Sequence, residues 1–500
     1  MTPDESRALT TAVLEHFARC LAGSIVLADH GHADAFSLFQ QAATQPDSTA
    51  TIIRAMKRTL EINGKAADVM GLLQANGTQG MTSDVNQPFR VTVDNQLTVP
   101  TALHWHGLHP PNNEDGVPGV TQPAVRAGAS SFYDFPLQPA GTHWMHSHQG
   151  LQEAFLLAAP LIVHDPADEG RDEQKIMLLL GDYSFTPPKE IYARLRKGSK
   201  DTAAVSATSS PASKSMNNMK VAAAKPDAND VNYDAYLADD RTLLDPEVVK
   251  VEKGGRVRLR IINGSSGTNF FIDLGSLTAE LIATDGMPVK HVRGSRFPLA
   301  IAQRIDVIVH LPREGGAFPI LALRELAVEQ TGIVLATSGA KIERIPVSAS
   351  SPNGLLTLGL EGELAAVNPL KAKPADQTSV LRLQGNMSRY EWLINGVACD
   401  MANPSNQAAQ VKVKSGQRVA LKFVNETPMS HPMHLHGHSF QVVAINDRRL
   451  SGALRNSVLV PGRTNVTVEF DANNPGPWYV HCHILWPLDA GMATLVQYEA

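Results

Sequence analysis

Two distant segments of this chain follow one pattern. VEKGGRVRL at 251–259 and VKSGQRVAL at 413–421 both read V-x-x-G-x-R-V-x-L, and each runs on to an asparagine, Asn263 or Asn425. A looser third copy, FRVTVDN at 89–95, ends on Asn95. Setting the three asparagines level also aligns Gly107, Gly275 and Gly437. Apolar and polar residues alternate within each copy, the period of a half-buried strand. A chain of 500 residues is too long for one core and suggests roughly three domains of about 150 residues. Three copies of one β-unit, each of sandwich size, make the economical architecture, so the expected fold class is all-β.

Strand signals begin near Lys57 with RTLEING and PFRVTVDNQL, and a first unit closes at APLIVHDP. Residues 1–55 have patchy helical spacing and read as an N-terminal extension or leader. The expected organisation is a first domain over 56–170, a second over 171–345, a proline-rich linker over 346–377 and a third domain over 378–500. Within the second, about 186–235 is rich in Ser, Ala, Lys and Asn and reads as a mobile insertion. Met216 and Met219 are too sparse there to make a metal-sequestering segment.

The charge of −5 is too mild to imply nucleic acid or an anionic membrane surface as partner. The longest apolar run, around Ala154 to Val163, falls well short of the ~20 residues of a membrane span. Acidic Asp4 and Glu5 precede Arg7, and Glu15, His16 and Arg19 break the apolar region, so the N-terminus makes a poor signal peptide. Three scattered cysteines, Cys20, Cys399 and Cys482, form no disulfide framework.

The histidines carry the chemistry. In the repeat alignment His104 and His106 fall on His434 and His436, where the second unit has Ile272 and Leu274. A later pair behaves alike: GTHWMHSH lies on GPWYVHCH, placing His146 and His148 on His481 and His483, and Ser147 on Cys482. The second unit has GAFPILAL there. The outer units therefore each offer two H-x-H pairs, the middle unit none. Alternate residues of a strand share a face, so each pair presents two imidazoles together. Bringing the outer units together surrounds an interdomain space with eight imidazoles, enough for three metal ions. His431 and Cys482 occur only in the third unit and, with Met492, form a second set of soft ligands. Zinc is the alternative metal; imidazoles and a thiolate in one short segment fit redox copper better.

With the motifs HWHG, HSH, HPMHLHGH and HCH…M, residues 57–500 resemble the multicopper oxidases, specifically the three-domain laccase-like proteins of bacteria. The resemblance implies three cupredoxin-like Greek-key β-sandwiches and up to four copper ions. His104 and His434 would hold a type 2 copper, and His106, His146, His148, His436, His481 and His483 a type 3 pair. His431 and Cys482 would hold a type 1 copper, with Met492 axial. Asp115, in NNEDGVPG, matches the family's acidic residue near the cluster, with Asp489 a second candidate. The partners implied are a small-molecule electron donor and dioxygen, and the compartment implied is periplasmic or extracellular.

The family places a second type 1 histidine five residues after the cysteine; here that position is Pro487, which has no donor atom. His438 is the other histidine near in sequence and the candidate substitute. The expectation is a laccase-type oxidase with an impaired type 1 site. A cuprous oxidase of copper tolerance and a non-catalytic cupredoxin-repeat scaffold are the alternatives.

Overall fold

The computed structural model describes residues 50–197, 230–404 and 410–499. The expected extension before residue 50, both insertion methionines and Cys20 lie outside them. Three two-sheet β-sandwiches follow one another along the chain. In the first, one sheet runs in the order Lys65–Gln74, Thr51–Ile62, Pro88–Asn95, Ser130–Pro136, and the other in the order Met81–Asp84, Ala158–His164, Gly141–Ser147, Leu103–His106. The second and third sandwiches repeat this plan with extra strands.

In every sandwich the first strand pairs in parallel with the strand that ends on the repeat asparagine: Thr51–Ile62 with Pro88–Asn95, Gln174–Tyr183 with Arg256–Asn263, Gln377–Asn386 with Arg418–Asn425. Even a β-bulge recurs, between Leu281 and Ala283 and between Val442 and Ala444.

The aligned asparagines explain themselves as buried loop clamps. Asn95 Nδ2 donates to the carbonyls of Val99, Val125 and Arg126, Asn263 Nδ2 to those of Thr268 and Leu299, and Asn425 Nδ2 to those of Met429, Val460 and Pro461. Each Oδ1 accepts the N–H two residues on. One side chain thus satisfies loop carbonyls that burial would otherwise orphan. The aligned glycines take positive φ, 97° at Gly107, 59° at Gly275 and 64° at Gly437, turning the chain straight after each motif.

Two details depart from expectation. The first strand starts at Thr51, inside the stretch read as leader, because TIIRAMKRTLEI alternates well enough to pair along its length with Lys65–Gln74. The stretch read as a mobile insertion opens with a helix, Pro188–Arg196, and ends in buried Val231, Tyr233 and Ala235; residues 198–229 lie outside the described residues. No helix among the described residues is long and apolar enough to cross a membrane.

Candidate metal centre

The strand Leu103–His106 pairs with Gly141–Ser147 so that His104 faces His146, and His431–Leu435 pairs with Pro477–Cys482 so that His434 faces His481. The two outer domains thus present the same four-imidazole motif in the same register. In the middle domain Ile272 faces Ala322, one residue from the Leu321 that the sequence alignment puts there, and no histidine takes part.

The two motifs meet. His104 and His434 approach at 3.4 Å between Nε2 atoms, and the rings of His104 and His436 lie 3.8 Å apart; within the third domain the Nε2 atoms of His436 and His481 are 3.0 Å apart. Across the interface the rings of His106 and His434 stack at 3.8 Å, and His148 stands 5.2 Å from His481. His106, His146, His148, His434, His436 and His483 are held well below the ordinary imidazole range, first by burial and then by one another, and His481 is pushed down to about 4 by burial. They are therefore neutral imidazoles with lone pairs available.

Buried polar atoms normally find partners. Here His106 Nδ1, the Nε2 atoms of His146 and His148, and both ring nitrogens of His483 have no hydrogen-bond partner among the described residues. A cluster of neutral imidazoles with orphaned nitrogens fits copper ions and has no structural purpose without them.

Four residues orient these rings from behind. Asp115 Oδ2 accepts from His436 Nδ1 at 2.8 Å, and its own carbonyl accepts from His104 Nδ1 at 2.9 Å. Asp115 can come this close because Gly116 follows it: a Cβ there would lie 1.9 Å from the carbonyl oxygen of Leu103. Glu153, which sequence reasoning missed, lies 3.2 Å from His146 Nδ1 and 3.8 Å from His483 Nδ1, and burial pushes its carboxyl well up. Its only signal was an acid five residues after HSH. Ser457, also missed, sets its Oγ 3.2 Å from His106 Nε2, while the neighbouring Asn456 carbonyl accepts from His434 Nδ1 at 2.7 Å.

The middle domain supplies the brace for that loop. Asp285 Oδ2 accepts from the backbone N–H groups of Asn456 and Ser457, and Arg304, fully buried, donates to the Thr142 carbonyl and to Asn456 Oδ1.

On the other face of the HCH strand, Cys482 Sγ lies 3.5 Å from His431 Nδ1, and His431 Nε2 pairs with Thr427 Oγ1 at 2.9 Å. Burial pushes the thiol up and His431 down to about 3. Met492 is fully buried, with its carbonyl accepting from the Cys482 N–H at 3.0 Å. Pro487 is buried in the short helix Leu485–Asp489, early enough in it that no N–H is needed.

His438 does not fill the gap. Its Nδ1 donates to the His436 carbonyl and its Nε2 pairs with Tyr498 Oη, in a nest with Phe470 and Trp478. Asp489 reaches a cavity of about 210 Å³ that also touches His148 and Glu153, and burial raises its carboxyl.

Three family models, each described as multicopper oxidase, match residues 56–168, 174–340 and 372–500. The chain belongs to the multicopper oxidases. Multicopper oxidase MmcO of Mycobacterium tuberculosis is 30% identical over 91% of this chain and 89% of its own length. Copper resistance protein A of Escherichia coli is 24% identical over 81% of this multicopper oxidase and 85% of its own length. Among solved structures, Fet3p, a multicopper oxidase that functions in iron import, superposes with a TM-score of 0.74 at 16% identity, covering 90% of each chain. A laccase from Botrytis aclada superposes with 0.71 at 24% identity, over 89% of this chain and 86% of its own. These two likenesses carry the cupredoxin-type fold; family membership implies copper.

Proposed function

We propose that this chain is a laccase-like, copper-dependent oxidoreductase coupling one-electron oxidation of phenolic or similar donors to the four-electron reduction of dioxygen to water. The observation that carries the proposal is the convergence of eight imidazoles from two domains, seven buried and that of His148 half-buried, several with orphaned nitrogens, beside a strand whose HCH segment sets Cys482 between two of them. Bound copper would supply one-electron redox chemistry at Cys482 and dioxygen chemistry among the imidazoles.

His104 and His434 are assigned to the type 2 ion, and the 3.4 Å between their Nε2 atoms suits two ligands of one metal. His106, His146, His148, His436, His481 and His483 are assigned to the type 3 pair. His431, Cys482 and Met492 are assigned to the type 1 ion. The peptide backbone on either side of Cys482 joins the sites covalently, so an electron leaving the thiolate has two short routes, to His481 and to His483. Asp115 takes the acid's role, since its carboxylate reaches histidines of both domains.

The cysteine site is the weaker half. Pro487 offers no ligand and His438 is committed elsewhere, so copper binds less tightly there and its redox behaviour is altered. A second reading, oxidation of cuprous ion in copper tolerance, is favoured by the likeness to Copper resistance protein A.

Metal analysis with optical and EPR spectra of copper-reconstituted protein tests the assignment. The expected result is a filled trinuclear cluster with a weak thiolate-to-copper band. Dioxygen uptake with a phenol and with cuprous ion separates the two readings. No uptake with either, in fully loaded protein, leaves the scaffold reading standing.

A further inference from the structure

Cys482, His431 and Met492 have 0% exposure, and Pro487 is buried. An external donor must therefore pass its electron across intervening residues. Tunnelling decays exponentially with distance and less steeply through conjugated rings than through saturated packing. At position 487 this chain has a saturated ring.

One run of aromatic rings leads outward from His431. Trp392 stands edge-on to it at 5.1 Å, Tyr390 is 6.0 Å from Trp392, and Tyr192 is 6.4 Å from Tyr390, the longest step. The inner two rings are buried, while Tyr192 is half-exposed on the helix Pro188–Arg196. Exposed Arg196 lies with its guanidinium 5.8 Å from the Tyr192 ring centre and donates to its hydroxyl.

The rings are held in place. Tyr192 Oη donates to the Asp489 carbonyl at 3.0 Å, and Tyr390 Oη to Asp230 Oδ2 at 2.6 Å. Trp392 donates its backbone N–H to the Ala490 carbonyl. Its indole lies over its cross-strand partner Gly385, where a Cβ would fall 2.3 Å from the ring.

We propose that the reducing substrate delivers its electron at Tyr192 and Arg196, and that the rings of Tyr390, Trp392 and His431 carry it to Cys482. The inference rests on the assignment of a copper ion to Cys482. A ring beside an exposed guanidinium suits an electron-rich aromatic donor carrying negative charge, such as a phenolate or an aromatic carboxylate. A phenol gives one electron to the chain and its proton to bulk water, leaving a phenoxyl radical. The protein rings transmit the electron without gaining or losing protons. Four such transfers, with four protons from solvent, balance one dioxygen reduced to two waters.

The test reads anaerobic bleaching of the visible thiolate–copper band by stopped flow, with ferrocyanide as the anionic donor and hexaammineruthenium(II) as the cationic one. Tyr192→Leu is expected to slow both by about an order of magnitude, while Tyr192→Phe, which keeps a ring, and Phe132→Leu, on the first domain, stay within about twofold of the parent. Arg196→Glu slows ferrocyanide and speeds hexaammineruthenium(II). Copper content and band position, measured alongside, separate a lost route from a damaged site. Rates for Tyr192→Leu within about twofold of the parent overturn the proposal.

A second arm needs no copper. In copper-free protein with ring-labelled tyrosine, the redox-inert paramagnet hexacyanochromate(III) is expected to broaden the Tyr192 NMR signal, and to stop doing so in Arg196→Glu. Absence of broadening overturns the docking site. Absence of any thiolate–copper band in loaded parent protein overturns the copper assignment at Cys482 instead.

Discussion

Asp115 of the first domain and His436 of the third are joined by a 2.8 Å hydrogen bond from ring Nδ1 to carboxylate Oδ2, with both side chains fully buried. The bond ties the two domains together at the imidazole cluster and leaves His436 Nε2 facing inward.

Asp115→Ala is therefore expected to lose more than an acid. Removing one partner of a buried hydrogen bond costs about 1–3 kcal/mol and frees the His436 ring. Copper titration should give reduced occupancy of the cluster, and dioxygen uptake should fall by two orders of magnitude or about that. Asp115→Asn, which keeps the acceptor oxygen, should retain more copper than activity.

Glu153→Gln should weaken copper binding at His146 and His483 by about 10–100-fold while leaving the Cys482 band in place. Competition with a chelator, followed by EPR of the retained ions, checks this.

Pro487→His restores a donor where the family has one. The expected result is tighter copper at Cys482 and a stronger visible band, measured on reconstituted protein. An unchanged band would mean that the present ligands already complete the site.

The repeat asparagines predict a stability effect without a chemical one. Asn263→Ala orphans the carbonyls of Thr268 and Leu299 in the ligand-free domain and should lower unfolding free energy by about 2–4 kcal/mol in denaturant titration. The visible and EPR spectra of the loaded protein should not change.

Acid should unfold the copper-free protein early. Burial lowers His109 to about 4 and His438 to about 3, below the ordinary value of about 6.5 of an unfolded chain. The unfolded state thus binds these protons first, so their stabilising contribution is complete above about pH 6.5 and is lost as pH falls towards 3 to 4. Each contributes a slope of up to about 1.4 kcal/mol per pH unit in that window. His438→Gln should flatten the measured slope by roughly one proton, and copper should protect the loaded protein by mass action.

What the sequence discloses follows from what repeats. Asn95, Asn263 and Asn425 recur because each sandwich needs the same loop clamp, and the paired H-x-H motifs stand out because strand periodicity puts alternate residues on one face. Glu153 and Ser457 were hidden because each reaches its histidines through tertiary folding, from the single 3-10 turn Gln152–Phe155 and from a neighbouring strand. The one-residue difference in register at Ile272 was equally hidden, since the aligned glycines do not fix strand pairing. His438 looked like a spare ligand by sequence distance alone, yet its ring turns away to Tyr498. The Tyr192 route was obscured because its helix begins in a stretch whose composition reads as loop.

Arg304 sits in the domain that contributes no histidine to the cluster, yet grips Thr142 of the first domain and Asn456 of the third. The distance between the two half-clusters is thus gauged by a side chain that never meets a metal. Mutating it would alter the spacing between copper ions as a misplaced shim alters the gap between two plates, with every ligand still present.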